Sequence, residues 1–163
     1  MTTTDTLITI PVRFDFDSTA PNFSRAMSAL DEAATAELDR VAFDARLREL
    51  IRLRASQING CAYCVDMHSK AAREAGDTEQ RVHAVAVWRE SGFFTARERA
   101  AFELTESVTR LADTHVPDAV VAAARAEFSD DEIGALLAAI VTINAWNAIA
   151  VTARCWRPRR DRG

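Results

Sequence analysis

Between Ile133 and Val151 the sequence carries no charged side chain, and a stretch of that length has few places to go. It opens on Ser129 with Glu132 three residues later, the reciprocal pairing of a capping box, so the stretch reads as a helix. A helix that is apolar all round is buried in protein or in lipid. About 20 apolar residues followed by a cluster of arginines would suit a membrane anchor with its tail on the cytoplasmic side. Against that, Thr142, Asn144 and Asn147 fall in its middle, and its many alanines suit close helix packing in water. The expectation is a soluble protein with this helix at its core or at a subunit contact, and no membrane span.

The rest of the chain supplies amphipathic helices for that core. With 163 residues, 48% of them hydrophobic and 27% charged, it is long enough for one domain and too apolar for a disordered chain. Glycine and proline number only five and four, which favours an all-α fold. Pro21 suits a first helical position, and Phe23, Met27, Leu30, Ala34 and Leu38 follow at helical spacing. Asp44 caps a second helix with the stripe Leu47, Leu50, Ile51 and Ile58, which Asn59-Gly60 ends. A third runs from Cys61 to Gly76, and Asp77 with Gln80 offers a capping box for a fourth through Val82, Val85 and Trp88. Thr95 with Glu98 opens a helix carrying Ala101, Leu104, Val108 and Leu111, and Pro117 restarts the chain for a shorter one to Phe128. Residues 1–20 read as an arm free to lie on a neighbouring subunit, 21–152 as one domain, and 153–163 as an arginine-rich tail.

The chemistry lies in Cys61-Ala-Tyr-Cys64-Val-Asp-Met-His68. At about 3.6 residues per turn, Cys61, Cys64 and His68 share one helix face with Val65, Ala72 and Ala75, and that face turns inward. Two thiols at i and i+3 can close a disulfide with little backbone movement. A helix N-terminus favours the thiolate, the form that attacks peroxides and disulfides, and His68 lies four residues from Cys64 as its base. That proximity points to Cys64 as the attacking thiolate and Cys61 as the resolving thiol, although the helix dipole alone would make Cys61 the more acidic. On the preceding helix, Glu49 lies opposite the apolar stripe, and periodicity places it in solvent. Trp88 and Trp146 read as core aromatics.

Net charge and cysteine count narrow the partners. A formal charge of −4 argues against a nucleic-acid binder. The start of the chain has neither the cationic residues nor the apolar run of an export signal, and three cysteines make no disulfide framework, so a cytoplasmic protein with a redox or metal-binding CxxC is expected. As zinc ligands, Cys61, Cys64 and His68 would need a fourth from Glu49, His83, His115 or Cys155, and the second ligand pair usual in zinc sites is missing. No metal and no cofactor are expected. Arg154, Arg157, Arg159, Arg160 and Arg162 read as a solvated tail, with an anionic partner as the sharper alternative.

LRELIRLRASQINGCAYCVDMHSKAAREAG resembles the alkylhydroperoxidase D-like branch of the carboxymuconolactone decarboxylase family, whose pattern is a glutamate twelve positions before a CxxC pair and a histidine four beyond it. Glu49, Cys61, Cys64 and His68 match position by position. WRESGFFTARERAAFELTESVT and FSDDEIGALLAAIVTINAWN resemble later helices of the same family, so the likeness spans about residues 20–152. It implies an all-helical subunit assembling as a homotrimer or homohexamer, and reduction of hydroperoxides through the cysteine pair. Electrons would come from a dithiol such as a lipoyl group on a partner protein. It also implies that Glu49 turns inward to a proton relay with the cysteines and His68. Tyr63 stands where the peroxidase that names the branch has a second histidine, and a phenol is no base at neutral pH, which implies a shorter relay or slower turnover. The alternatives are a decarboxylase-like enzyme acting on a small organic acid, whose relatives commonly lack the cysteine pair, and a zinc-stabilised assembly module.

Overall fold

The computed structural model describes residues 8–158, and among them the regular structure is entirely helical. The helices are α1 (Phe16–Thr19), α2 (Pro21–Arg40), α3 (Ala45–Asn59), α4 (Ala62–Glu74), α5 (Glu79–Ala84), α6 (Ala96–Thr109), α7 (Leu111–Thr114), α8 (Asp118–Glu127) and α9 (Asp130–Ala153), with a 3-10 turn at Val85–Val87 after α5. Local sequence explains most of the boundaries. The Asp44 carboxylate accepts from the Leu47 N–H at 2.9 Å, and the Thr95/Glu98 and Ser129/Glu132 capping boxes form in both directions. Gly60 ends α3 in the left-handed region at φ 69°, where a side chain would be strained.

Two boundaries differ from expectation. Thr78, not Asp77, caps α5 by accepting from the Arg81 N–H. Asp77 is instead buried and holds the Arg81 guanidinium at 2.7 Å, a tertiary use of a carboxylate that local spacing could not anticipate. The helix begun at Thr95 ends at Thr109, and Leu111 is exposed on the separate turn α7. In the arm, whose first seven residues lie outside the described residues, the Arg13 N–H donates to the Ala153 carbonyl at 2.9 Å and its guanidinium to the Thr152 carbonyl at 3.3 Å. The arm thus satisfies the open C-terminal carbonyls of α9 of its own chain.

The core lies where α9 packs on α2, α3 and α6. Leu38, Leu50, Ile51, Phe102, Leu136 and Ile140 are completely buried there. The polar residues of α9 are absorbed rather than exposed: Thr142 Oγ1 donates to the Ala138 carbonyl at 2.8 Å, and the Asn144 amide donates to Thr109 Oγ1 at 3.0 Å. A buried carboxylate, Glu106, ties α6 to α3 and to the segment after the 3-10 turn by accepting from Arg54 (2.7 Å), Trp88 Nε1 (2.8 Å) and Arg89 (2.6 Å). Burial would raise its pKa, yet these donors outweigh it and keep the carboxylate below its ordinary value. The outward side of α9 keeps Leu137, Val141 and Val151 exposed. Truncating Ile140 to alanine should cost about 2–5 kcal/mol in denaturant unfolding, the range for a large buried aliphatic; a loss under about 1 kcal/mol would show that α9 is not held in this core.

Candidate functional site

The turn at Asn59-Gly60 folds α4 back against α3, and this packing creates the site. Cys61 is the N-cap of α4, with extended backbone at φ −82° and ψ 96°, and its Sγ accepts the Cys64 N–H at 3.3 Å. A sulfur therefore takes the place that a serine or aspartate oxygen usually fills. Cys64, His68 and Ala72 form the buried stripe of α4, as the spacing predicted. Both cysteines are free thiols, 2% exposed, packed against Ala55 of α3 and Ile143 and Ala150 of α9.

Glu49 is not in solvent. Its side chain is 13% exposed and accepts from His68 Nδ1 at 2.8 Å and from Arg52 at 3.0 Å. Helical periodicity fails here because α3 has neighbours on several sides, α4, α6 and α9, so more than one stripe of it is covered. Burial pushes the Glu49 carboxyl up, but His68 and Arg52 together hold it below the ordinary value, so it is an anion at neutral pH. An ionised Glu49 fixes the His68 tautomer with the proton on Nδ1. The other ring nitrogen, Nε2, is buried without a hydrogen-bond partner among the described residues.

The two thiols are unequal, in the order the helix dipole favours and not the order read from proximity to His68. The Cys64 thiol donates to the Cys61 sulfur; burial opposes ionisation, and the Cys64 N–H, the Asn147 amide and the Tyr63 N–H add to the stabilisation, bringing Cys61 down to about 7. Cys64, which loses its proton only beside an existing thiolate, is pushed well above the ordinary thiol value by that hydrogen bond and by burial. The N-terminal cysteine is thus the acidic one, in keeping with the helix dipole.

Asn147, which sequence reading treated only as a polar interruption of α9, is a member of the site. It is 1% exposed, its Oδ1 accepts from Asn59 at 2.9 Å, and its Nδ2 donates to Ser56 Oγ at 3.1 Å beside the cysteines. The signal was present: an amide in an otherwise uncharged helix must find partners once buried. Trp146, half-buried, packs on the apolar cluster that holds the two cysteines, meets Trp156 edge-on at 5.4 Å between centroids and faces the Cys64 side of the site. Trp88 is in the core. Tyr63 packs on Trp156 at 6.1 Å, as a wall. Of the other titratable candidates, His83 is exposed and pairs with Glu79, and among the described residues no three His, Cys, Asp or Glu side chains are grouped as a metal ion would need.

An all-helical subunit with a glutamate-tethered histidine and an N-capping CxxC pair defines a thiol-centred class of protein. Residues 21–107 match the carboxymuconolactone decarboxylase family. The chain is 41% identical over 104 residues to the uncharacterised Bacillus subtilis protein YdfG, covering 64% of this chain and 71% of that one. It shares 40% identity and a TM-score of 0.85 with a crystal structure from Agrobacterium tumefaciens, a protein of unknown function provisionally assigned as the antioxidant defence protein AhpD, over 92% of this chain and all (100%) of the other. An uncharacterised peroxidase-related protein from Ralstonia eutropha, described as an alkylhydroperoxidase AhpD core, has the same fold, at 24% identity and TM-score 0.72, over 88% and 74% of the two chains. The chain belongs to the carboxymuconolactone decarboxylase family, in its alkylhydroperoxidase D-like branch.

The site's electrostatics make a direct prediction. Alkylation of Cys61 by iodoacetamide should rise through a midpoint near pH 7, where the thiolate forms, instead of the about 8.5 of a free thiol. Asn147→Ala removes one donor to that thiolate, so the midpoint should move upward, alongside a stability loss of about 1–3 kcal/mol from the lost hydrogen bonds to Ser56 and Asn59. Peptide mass spectrometry across pH reads both; an unchanged midpoint in Asn147→Ala would take the amide out of the site's electrostatics.

Proposed function

We propose that the protein is a thiol peroxidase that reduces organic hydroperoxides through Cys61 and Cys64 and is recharged by a dithiol, a lipoyl group on a partner protein being the chemistry implied by its family. The observation that carries this reading is the division of labour between the thiols: the acidic one needs no base, and the resistant one lies a helical turn before a histidine whose Nε2 is free and whose Nδ1 is held by Glu49.

The Cys61 thiolate attacks the distal oxygen of ROOH, an S–O bond forms as the O–O bond breaks, and the alkoxide leaves as ROH after taking a proton. His68 then accepts the Cys64 thiol proton, and Cys64 attacks the sulfenic sulfur, which closes the disulfide and releases water. In the recharging step the external thiolate meets Cys64, because Cys61 is the better leaving group of the two. A second exchange frees the external disulfide, and two electrons have passed from dithiol to peroxide.

Reduced thiols and a dithiol donor belong together in a reducing compartment, which supports a cytoplasmic location. Phe23 and Leu30 on α2 and Leu137 and Val141 on α9 are exposed large apolar groups, and all but Phe23 line one groove between the two helices. Covering such a surface with further copies supports a homotrimer or homohexamer and leaves α9 no need of lipid.

One equivalent of cumene hydroperoxide added to the reduced protein should give a peptide containing Cys61 and Cys64 that is lighter by two hydrogens, and native protein isolated with zinc on both sulfurs would overturn the proposal. His68→Ala should slow disulfide closure by about 10²–10⁴-fold at neutral pH, the worth of a positioned base. Cys61 sulfenic acid would then accumulate and be trapped by dimedone. Closure at the wild-type rate would remove His68 from the chemistry, and the same result in Glu49→Gln would remove the relay.

A further inference from the structure

The cysteine pair is reached by two clefts, and the Tyr63 and Trp156 rings line both. Trp156 is fixed between them by its Nε1 donating to Asp17 at 3.2 Å and by its edge-on contact with Trp146. The cleft at Cys64, about 420 Å³, is rimmed by the carboxylates of Asp17 and Asp31 and includes no lysine or arginine among its lining residues. The cleft at Cys61, about 200 Å³, is walled by apolar groups such as Ile10, Ala150 and Val151 and rimmed by Arg154 and Arg157, with no carboxylate. Each sulfur therefore has its own approach, of opposite charge.

The arginines are placed by the end of α9. Arg154 takes the left-handed backbone at φ 53° that turns the chain back toward Cys61, and it is half-buried, whereas Arg157 is exposed. Neither side chain has a hydrogen-bond or ion-pair partner among the described residues, whereas the two oxygens of Asp17 already accept hydrogen bonds from Ser24 and Trp156. Of the five clustered arginines in the sequence, the other three lie outside the described residues. An arginine fork beside an apolar wall suits a carboxylate on a hydrocarbon frame.

We propose that the arginine-rimmed cleft at Cys61 is an anion-selective entrance, and that the hydroperoxides this protein reduces carry a carboxylate held by Arg154 and Arg157 while the peroxide meets the Cys61 sulfur. The substrate clause rests on the peroxidase reading; the selectivity of the entrance does not. The acidic cleft at Cys64 repels the same molecules, so an anion is steered to one sulfur of the two.

Two matched reagent pairs test this on the full-length reduced protein. Iodoacetate and iodoacetamide attack through the same carbon, forming S–C and releasing iodide, and differ in charge. Their rate ratio at Cys61, read by peptide mass spectrometry and normalised to a small neutral thiol, should favour iodoacetate by roughly 5–30-fold at low salt. It should fall toward one at about 1 M salt, where the screening length is only about 3 Å. It should also collapse in Arg154→Gln/Arg157→Gln. A normalised ratio of one in the wild type, or a ratio retained in the double variant, overturns the entrance. The second pair is cumene hydroperoxide and its 4-carboxylate, scored by disulfide formation. Preference for the carboxylate that is lost with the arginines supports the substrate clause, and equal rates overturn it. If neither peroxide closes the disulfide, the peroxidase reading and the substrate clause fall together, while the iodoacetate ratio still decides the entrance.

Discussion

A helix uncharged from Ile133 to Val151 cannot be left in water on every side, and the arrangement of this chain follows from where α9 is buried. Packing it on α2, α3 and α6 covers Leu136, Ala139, Ile140 and Ile143 and brings Ile143, Asn147 and Ala150 against the turn that begins α4. The same burial forces its asparagines to find partners. Asn59 donates to both Asn144 and Asn147, so the end of α3, immediately before the Gly60 turn, is pinned to α9 by side-chain amides. Cys61 is placed by that pin.

The electrostatics of the site are made by protein dipoles and one carboxylate. Backbone N–H groups at the start of α4 and the Asn147 amide face the Cys61 sulfur, and the Cys64 thiol adds the largest share. Across the hairpin, Glu49 is kept ionised despite burial because His68 and Arg52 both face it. The negative charge on Glu49 and the thiolate on Cys61 are thus held by separate sets of donors. Stabilising either one does not draw donors from the other, and a buried site can hold both.

The surroundings of the two sulfurs diverge because they face different parts of the chain. Cys64 looks toward α2 and the α1 turn, which bring Asp17 and Asp31, whereas Cys61 looks toward the end of α9 and the segment after it, which bring arginines. Trp156 separates them, anchored on Asp17 and Trp146. A pair of adjacent cysteines acquires distinct partners in this way without any difference in their own chemistry beyond acidity.

The features legible in the amino-acid sequence are those that depend on neighbours along the chain. The Thr95 and Ser129 capping boxes, the break at Gly60, and the inward face shared by Cys64 and His68 all arise within one or two helical turns, so residue order determined them. Resemblance to a family supplied Glu49, which periodicity placed in solvent. Tertiary structure alone decided the rest: that α3 is covered on several sides, that Asp77 serves Arg81 instead of a helix cap, that Asn147 and Trp146 belong to the site, and that Arg154 returns to Cys61. Each of these joins residues distant in sequence, and their proximity depends on how the helices pack around α9, which no local pattern encodes.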